Sequence, residues 1–247
     1  MAHAMTFGVL ALAVLSTSFI SGILGIAGGM ILMGILLLMM PLSSAMMLHG
    51  VVQMASNAWR AWLWRQHIDW RILRGTALGA VVALAAFSVL QLSVSVPLVL
   101  IALGLTPFIS YVLPAKLQLN VDKPQHPFTC GVVCVALQLL SGVSGPLLDI
   151  YFLRSRLDRR AVIATKAAFQ TIGHSFKILY FGVLLARNQG STEWWMAAVM
   201  MALAVVGTTL SRGVLERMSD TDFRSWTRKV VTAAGVYYLA SGVWAFV

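Results

Sequence analysis

The chain has 247 residues, 59% of them apolar and only 11% charged, with a mean hydropathy of +0.85. A soluble domain of this size could not bury so much apolar surface, so the composition indicates an integral membrane protein. The net charge of +10 does not indicate nucleic acid, because the Lys and Arg fall in short loops between apolar segments, the pattern that sets membrane orientation.

No Asp, Glu, Lys or Arg occurs from Met1 to Trp59, and comparable charge-free runs cover 75–115, 124–148, 194–211 and 230–247. Each is long enough, at about 20 residues per span, to cross or enter a bilayer. The N-terminus lacks the basic region and cleavage site of a secretory signal, so the first segment is expected to be retained.

The first repeat is expected over 1–113. Its apolar arm from Thr6 to Leu24 runs into Phe19-Ile-Ser-Gly-Ile-Leu-Gly-Ile-Ala-Gly-Gly-Met30, whose glycines at 22, 25, 28 and 29 each cost about 1 kcal/mol against alanine in a helix interior. A break is predicted there, with Met30 to Met40 returning as a shorter arm that stops at Pro41, so that 6–40 forms a hairpin, re-entrant or fully spanning. Backbone N–H groups freed by such a break are tolerated at depth only where they face protein or a polar cavity, which makes the break a place for a substrate. Helices follow at 43–65, 72–91 and 96–113, the first ending in an interfacial belt of Trp59, Trp62 and Trp64.

A linker is expected over 114–127, with Pro114, Pro124 and Pro127. The second repeat, 128–247, follows the same plan: a hairpin over 128–153 around Ser141-Gly-Val-Ser-Gly-Pro146, then helices at 161–186, 193–211 and 228–246. Cys130 and Cys134, one helical turn apart in its first arm, read as packing residues and not as a disulfide framework.

In the two halves the break and the helix after it align without gaps at an offset of 117 residues (142 − 25). Gly25-Ile-Ala-Gly28 falls on Gly142-Val-Ser-Gly145, His49 on Lys166, Gln53 on Gln170, Asn57 on His174, Trp59 on Phe176 and Arg60 on Lys177. In both, a small-residue break precedes polar residues at i, i+4, i+8 and i+11, which share one side of a helix. Loops at 60–74, 154–160 and 212–229 carry four, four and five Lys/Arg, and the loops on the opposite side only Arg187. With the basic loops cytoplasmic, the polar-stripe helices of the two halves run in opposite directions. The expected fold is therefore an all-α integral membrane protein of two inverted repeats, each a broken-helix hairpin plus three transmembrane helices, the signature of a secondary transporter.

The candidate substrate contacts are Gly25, Gly28, Gly29, His49, Gln53, Asn57, Gly142, Ser144, Gly145, Lys166, Gln170 and His174. Gln53 and Gln170 each lie about 15 Å into their helices and can bind an oxyanion or tie helices together. Lys166 either snorkels to the cytoplasmic surface or holds an anionic substrate beside the half-helix N-termini at Gly28-Gly29 and Ser144-Gly145. Asp149, His49 and His174 are candidates for proton coupling, against ion pairing of Asp149 with Lys166 or Arg154 and plain hydrogen bonding by the histidines. Arg60, Lys177 and the tryptophans near the helix ends are expected to be interfacial anchors. No cofactor motif or Cys/His metal set is present, and neither H-E-x-x-H nor G-x-S-x-G occurs, which argues against an enzyme.

At Ser21-Gly-Ile-Leu-Gly-Ile-Ala-Gly-Gly-Met30 with its short arm, Pro41 and long helix, and again at Leu140-Ser-Gly-Val-Ser-Gly-Pro-Leu147, the chain resembles the TauE/SafE family of sulfite and organosulfonate exporters. The resemblance implies export of sulfite, sulfoacetate or a related sulfonate across the bacterial cytoplasmic (inner) membrane. An anion channel and a transporter of another small organic anion are the alternatives. The expected partners are the small anion and the lipid bilayer, with a homo-oligomer left open.

Overall fold

The apolar runs become helices because a backbone in lipid must satisfy its own polar groups. The computed structural model describes residues 2–24, 26–92, 94–109, 119–184 and 194–245, and among these are ten α-helices and no strand. In the first half they are α1 (Ala2–Leu24), α2 (Ile26–Met39), α3 (Leu42–Leu63), α4 (Trp70–Leu90) and α5 (Val96–Leu105). In the second they are α6 (His126–Ser141), α7 (Gly145–Phe152), α8 (Arg159–Leu179), α9 (Trp194–Arg217) and α10 (Asp220–Trp244). A π-helical turn, Tyr180–Leu184, prolongs α8.

Three of the helices contain stretches apolar and long enough to cross a membrane, Met5–Leu24, Trp70–Leu90 and Trp195–Val214. Shorter apolar helices lie at Ala27–Met39, Val96–Phe108 and His126–Ser141. The all-helical architecture fits a membrane protein.

Polar caps set several boundaries. The Asp69 carboxylate accepts from Ile72 N at 2.9 Å and starts α4, while Asp69 N donates to Thr165 Oγ1 at 2.9 Å and ties that start to α8. Asp158 starts α8 by accepting from Arg160 N at 2.8 Å and Ala161 N at 3.0 Å. Those backbone donors, Ala161 foremost, hold its carboxyl below the usual carboxylate range.

The last two helices depart from expectation. A loop is expected over 212–229, yet α9 continues to Arg217 and α10 begins at Asp220. Charged residues end an apolar span without ending a helix; the break falls at Ser219, whose hydroxyl accepts from Asp222 N at 3.1 Å. The ends of the expected 96–113 and 161–186 helices and the first part of the 114–127 linker lie outside the described residues. The rest of that linker is fastened to the end of α7: Val121 N donates to Tyr151 O at 3.1 Å, and Asn120 Nδ2 to Arg154 O at 3.0 Å.

Close contacts give the helix directions. α1 and α9 run parallel, with Phe7 beside Trp195 (ring centroids 5.3 Å apart) and Gly22 against Ser211. α4 and α6 also run parallel, with Gly75 against Pro127 and Gly79 against Phe128 and Val132. α3 and α8 are antiparallel: the Arg160 guanidinium lies over the Trp64 ring at 5.8 Å, and Gly50 meets Ile178. α5 and α10 are antiparallel as well, Ile101 meeting Gly242 and Gly104 meeting Leu239. Met30, Leu32, Met33 and Leu36 of α2 are buried with Met46 and Leu48 of α3, so the short arm of the first half lies in the core.

Candidate functional site

Two glycine-rich breaks supply the backbone of the site. At the first, α2 returns so close to α1 that a Cβ on Gly28 would collide with the Thr17 carbonyl. This leaves the Gly29 carbonyl to accept a hydrogen bond from His49 Nε2 on α3, at 2.9 Å. At the second, Gly142 ends α6 in the left-handed region, with φ of 83°, a conformation that a side chain makes costly. Its N–H closes the helix on Gln138 O at 2.8 Å, and its carbonyl accepts from Lys177 Nζ on α8, at 3.1 Å.

The two breaks are joined through their side chains. Lys177 Nζ also lies 2.7 Å from His49 Nδ1. Because a carbonyl only accepts, the His49 proton is on Nε2, and Nδ1 takes its hydrogen bond from the lysine. The result is one chain of contacts, Gly29 O to His49 to Lys177 to Gly142 O, crossing from the first half to the second. Both side chains are fully buried, each at 0% exposure.

His174 flanks this chain, its ring centroid 5.6 Å from that of His49. Ser144 Oγ donates to Gln138 Oε1 at 3.0 Å, which leaves Gln138 Nε2 to donate to His174 Nδ1 at 3.1 Å. Both imidazoles therefore accept at Nδ1 and are neutral, and the His174 Nε2–H makes no hydrogen bond to the described residues. As an ammonium, Lys177 has three N–H bonds and two neutral acceptors, so one N–H is left over. No described carboxylate touches it. A buried ammonium among neutral groups is costly without a counter-charge, and its leftover N–H suits a ligand that only accepts.

Of the sequence candidates, Gly28, Gly29, His49, Gly142, Ser144 and His174 come together here. Gln53 is buried against Gly29, where a Cβ would strike its amide nitrogen. Asn57 donates back to Gln53 O on its own helix, at 2.8 Å. Gly145 is buried at the first position of α7, and Gly25 lies outside the described residues. Gln170 is half-buried and makes no hydrogen bond to the described residues.

Lys166 is elsewhere. It forms an ion pair with Asp149, and the two side chains are 23% and 45% exposed. Eleven residues (177 − 166) separate it from Lys177, about 16 Å along α8. Cys130 and Cys134 are free and buried, with sulfurs 3.8 Å apart.

Lys177 corrects the expectation of an interfacial anchor. Placed by its nearness to the helix end, it belongs instead to the polar stripe, at i+3 from His174 and i+7 from Gln170, and that face turns inward. Arg60, its partner at the 117-residue offset, departs from the same expectation: its Nη2 is buried without a hydrogen-bond partner among the described residues, as is Trp59 Nε1. Trp62, by contrast, is exposed and lies beneath the Arg65 guanidinium at 4.4 Å, as an anchor should. Gln138 is absent from the sequence candidates. Its signal is a lone amide in an apolar arm one turn before the break.

A family model described as Sulfite exporter TauE/SafE matches residues 10–238, nearly the whole chain. No curated protein and no solved structure matches it.

Proposed function

We infer, from the fact that this chain belongs to the sulfite exporter TauE/SafE family and from the buried Lys177 without a carboxylate, that Lys177 is the counter-charge for an exported sulfur oxyanion. The family is one of membrane transporters, which sets the class. The finer proposal is that sulfite, sulfoacetate or a related organosulfonate leaves the cell across the bacterial inner membrane through the site between the two breaks. Its contacts are Lys177, His174 and Ser144 from the second half and His49 and Gln53 from the first, beside the Gly28-Gly29 and Gly142–Gly145 turns.

The pairing of helices supports two inverted halves. The 117-residue offset relates α3 to α8, and helix order within each half relates α5 to α10; each of these pairs is antiparallel. The remaining contacts exchange in the same way, α1 on α9 corresponding to α6 on α4. That is the relation expected of a two-fold axis lying in the membrane plane. Alternating access then follows from rocking one half against the other. The His49–Lys177 hydrogen bond crosses between the halves, and an anion that takes the lysine weakens it.

An inside-negative membrane potential favours export of an anion by about 2.3 kcal/mol per charge per 100 mV, so proton coupling through His49, His174 or Asp149 is not required. The closed packing around Lys177 favours a carrier over an open pore. Counterflow of labelled sulfite in proteoliposomes separates the two: a carrier gives saturable accumulation driven by unlabelled sulfite on the far side. Flux that neither saturates nor exchanges would identify a channel.

A further inference from the structure

The charge inventory around Lys177 is short. From α3 comes His49, from α8 itself His174, and from α6 and the start of α7 the neutral Gln138 and Ser144. The described part of α2 contributes no ionisable side chain, and no charged residue of α1 or the first two thirds of α3 exists to add. Asp149, further along α7, is taken by Lys166. Arg60 lies eleven residues (60 − 49) beyond His49, about 16 Å along α3. His49 and His174 are held as neutral acceptors at Nδ1, and protonating His49 there would remove the Lys177 hydrogen bond. An anion bound beside Lys177 keeps it an ammonium, so the occupied site supplies one positive charge.

We propose that this site selects its substrate by charge state, taking monoanions such as hydrogensulfite and monosulfonates and rejecting dianions such as sulfate and fully ionised sulfite. A monoanion leaves the closed site neutral. A dianion leaves one negative charge uncompensated in a buried space, where an unpaired charge costs several kcal/mol. The donors agree in number with a small oxyanion of low charge: the third N–H of Lys177, the Nε2–H of His174 and the amide of Gln53. The inference rests on the transport function proposed above and narrows it to hydrogensulfite and monosulfonates, excluding sulfoacetate, whose carboxylate and sulfonate make it a dianion at neutral pH.

The test uses the intact protein in detergent, with calorimetric affinities for sulfite, methanesulfonate and sulfate measured across a pH series that passes through the second ionisation of sulfite. Methanesulfonate carries one charge throughout and reports any titration of the protein itself. Relative to it, the apparent affinity for total sulfite should fall about tenfold for each pH unit above that ionisation, following the monoanion fraction. Sulfate should not bind at concentrations that saturate with methanesulfonate.

A sulfite affinity that tracks methanesulfonate at every pH, or sulfate binding as tightly as methanesulfonate, overturns the charge rule while leaving anion transport in place. Absence of binding by all three anions overturns the transport function and the charge rule together. Because the series is run on the unaltered chain, no outcome depends on whether a variant folds.

Discussion

Two lysines on one helix have opposite circumstances. Lys166 meets a carboxylate, Asp149, and both remain in partial contact with the surroundings. Lys177 is fully buried and meets only an imidazole nitrogen and a backbone carbonyl. The first is a finished ion pair, which needs nothing more. The second has no counter-charge among the described residues, and under the proposed function the exported anion supplies it. A lysine within a membrane helix is therefore informative less for being there than for what it lacks.

Lys177→Met should produce the largest effect. Removing a buried, hydrogen-bonded charge from a binding site costs about 2 kcal/mol or more, so sulfite affinity should fall by at least about 30-fold in calorimetry. Folding should survive, because the methionine also removes the cost of burying the ammonium. Unchanged affinity would move the site away from Lys177 and dissolve the contrast between the two lysines.

Gly142→Ala sharpens it from the backbone side. The left-handed conformation at Gly142 and the nearby Met33 and Met46 sulfurs make an added methyl unfavourable, by about 1–2 kcal/mol in thermal unfolding. The carbonyl that holds Lys177 should shift with it. Gly213→Ala, where a Cβ meets nothing within 4 Å, is the matched control and should be neutral or slightly stabilising.

Lys166→Met should do least. A partly exposed ion pair is worth about 0–1 kcal/mol, so sulfite affinity should change by less than about threefold and the unfolding temperature by little. A loss comparable to that of Lys177→Met would show that the Lys166–Asp149 pair takes part in binding.

Much of the candidate site was legible in the residue order because its elements obey local rules. Clustered glycines weaken a helix more than single ones, so the two turns are legible, although Gly22, Gly28 and Gly29 themselves stand inside α1 and α2. Polar residues at i, i+4, i+8 and i+11 share a face whatever surrounds them, which puts His49 and His174 on the polar faces of their helices. Lys177 lay on that stripe too. Its depth is not legible there, because the end of an apolar run need not be the membrane surface: α8 continues through its π-helical turn with Tyr180 and Phe181 buried.

The sequence by itself determined the membrane class, the places where helices break, the family resemblance and the two polar stripes, since composition, glycine placement and periodicity are properties of a chain read one segment at a time. Only the tertiary structure decided which lysine is neutralised and which is not. That choice depends on side chains more than one hundred residues apart: His49 and Lys177 differ by 128 positions, and their hydrogen bond exists because α3 and α8 pack antiparallel. Burial and pairing are relations between segments, and no local pattern records them.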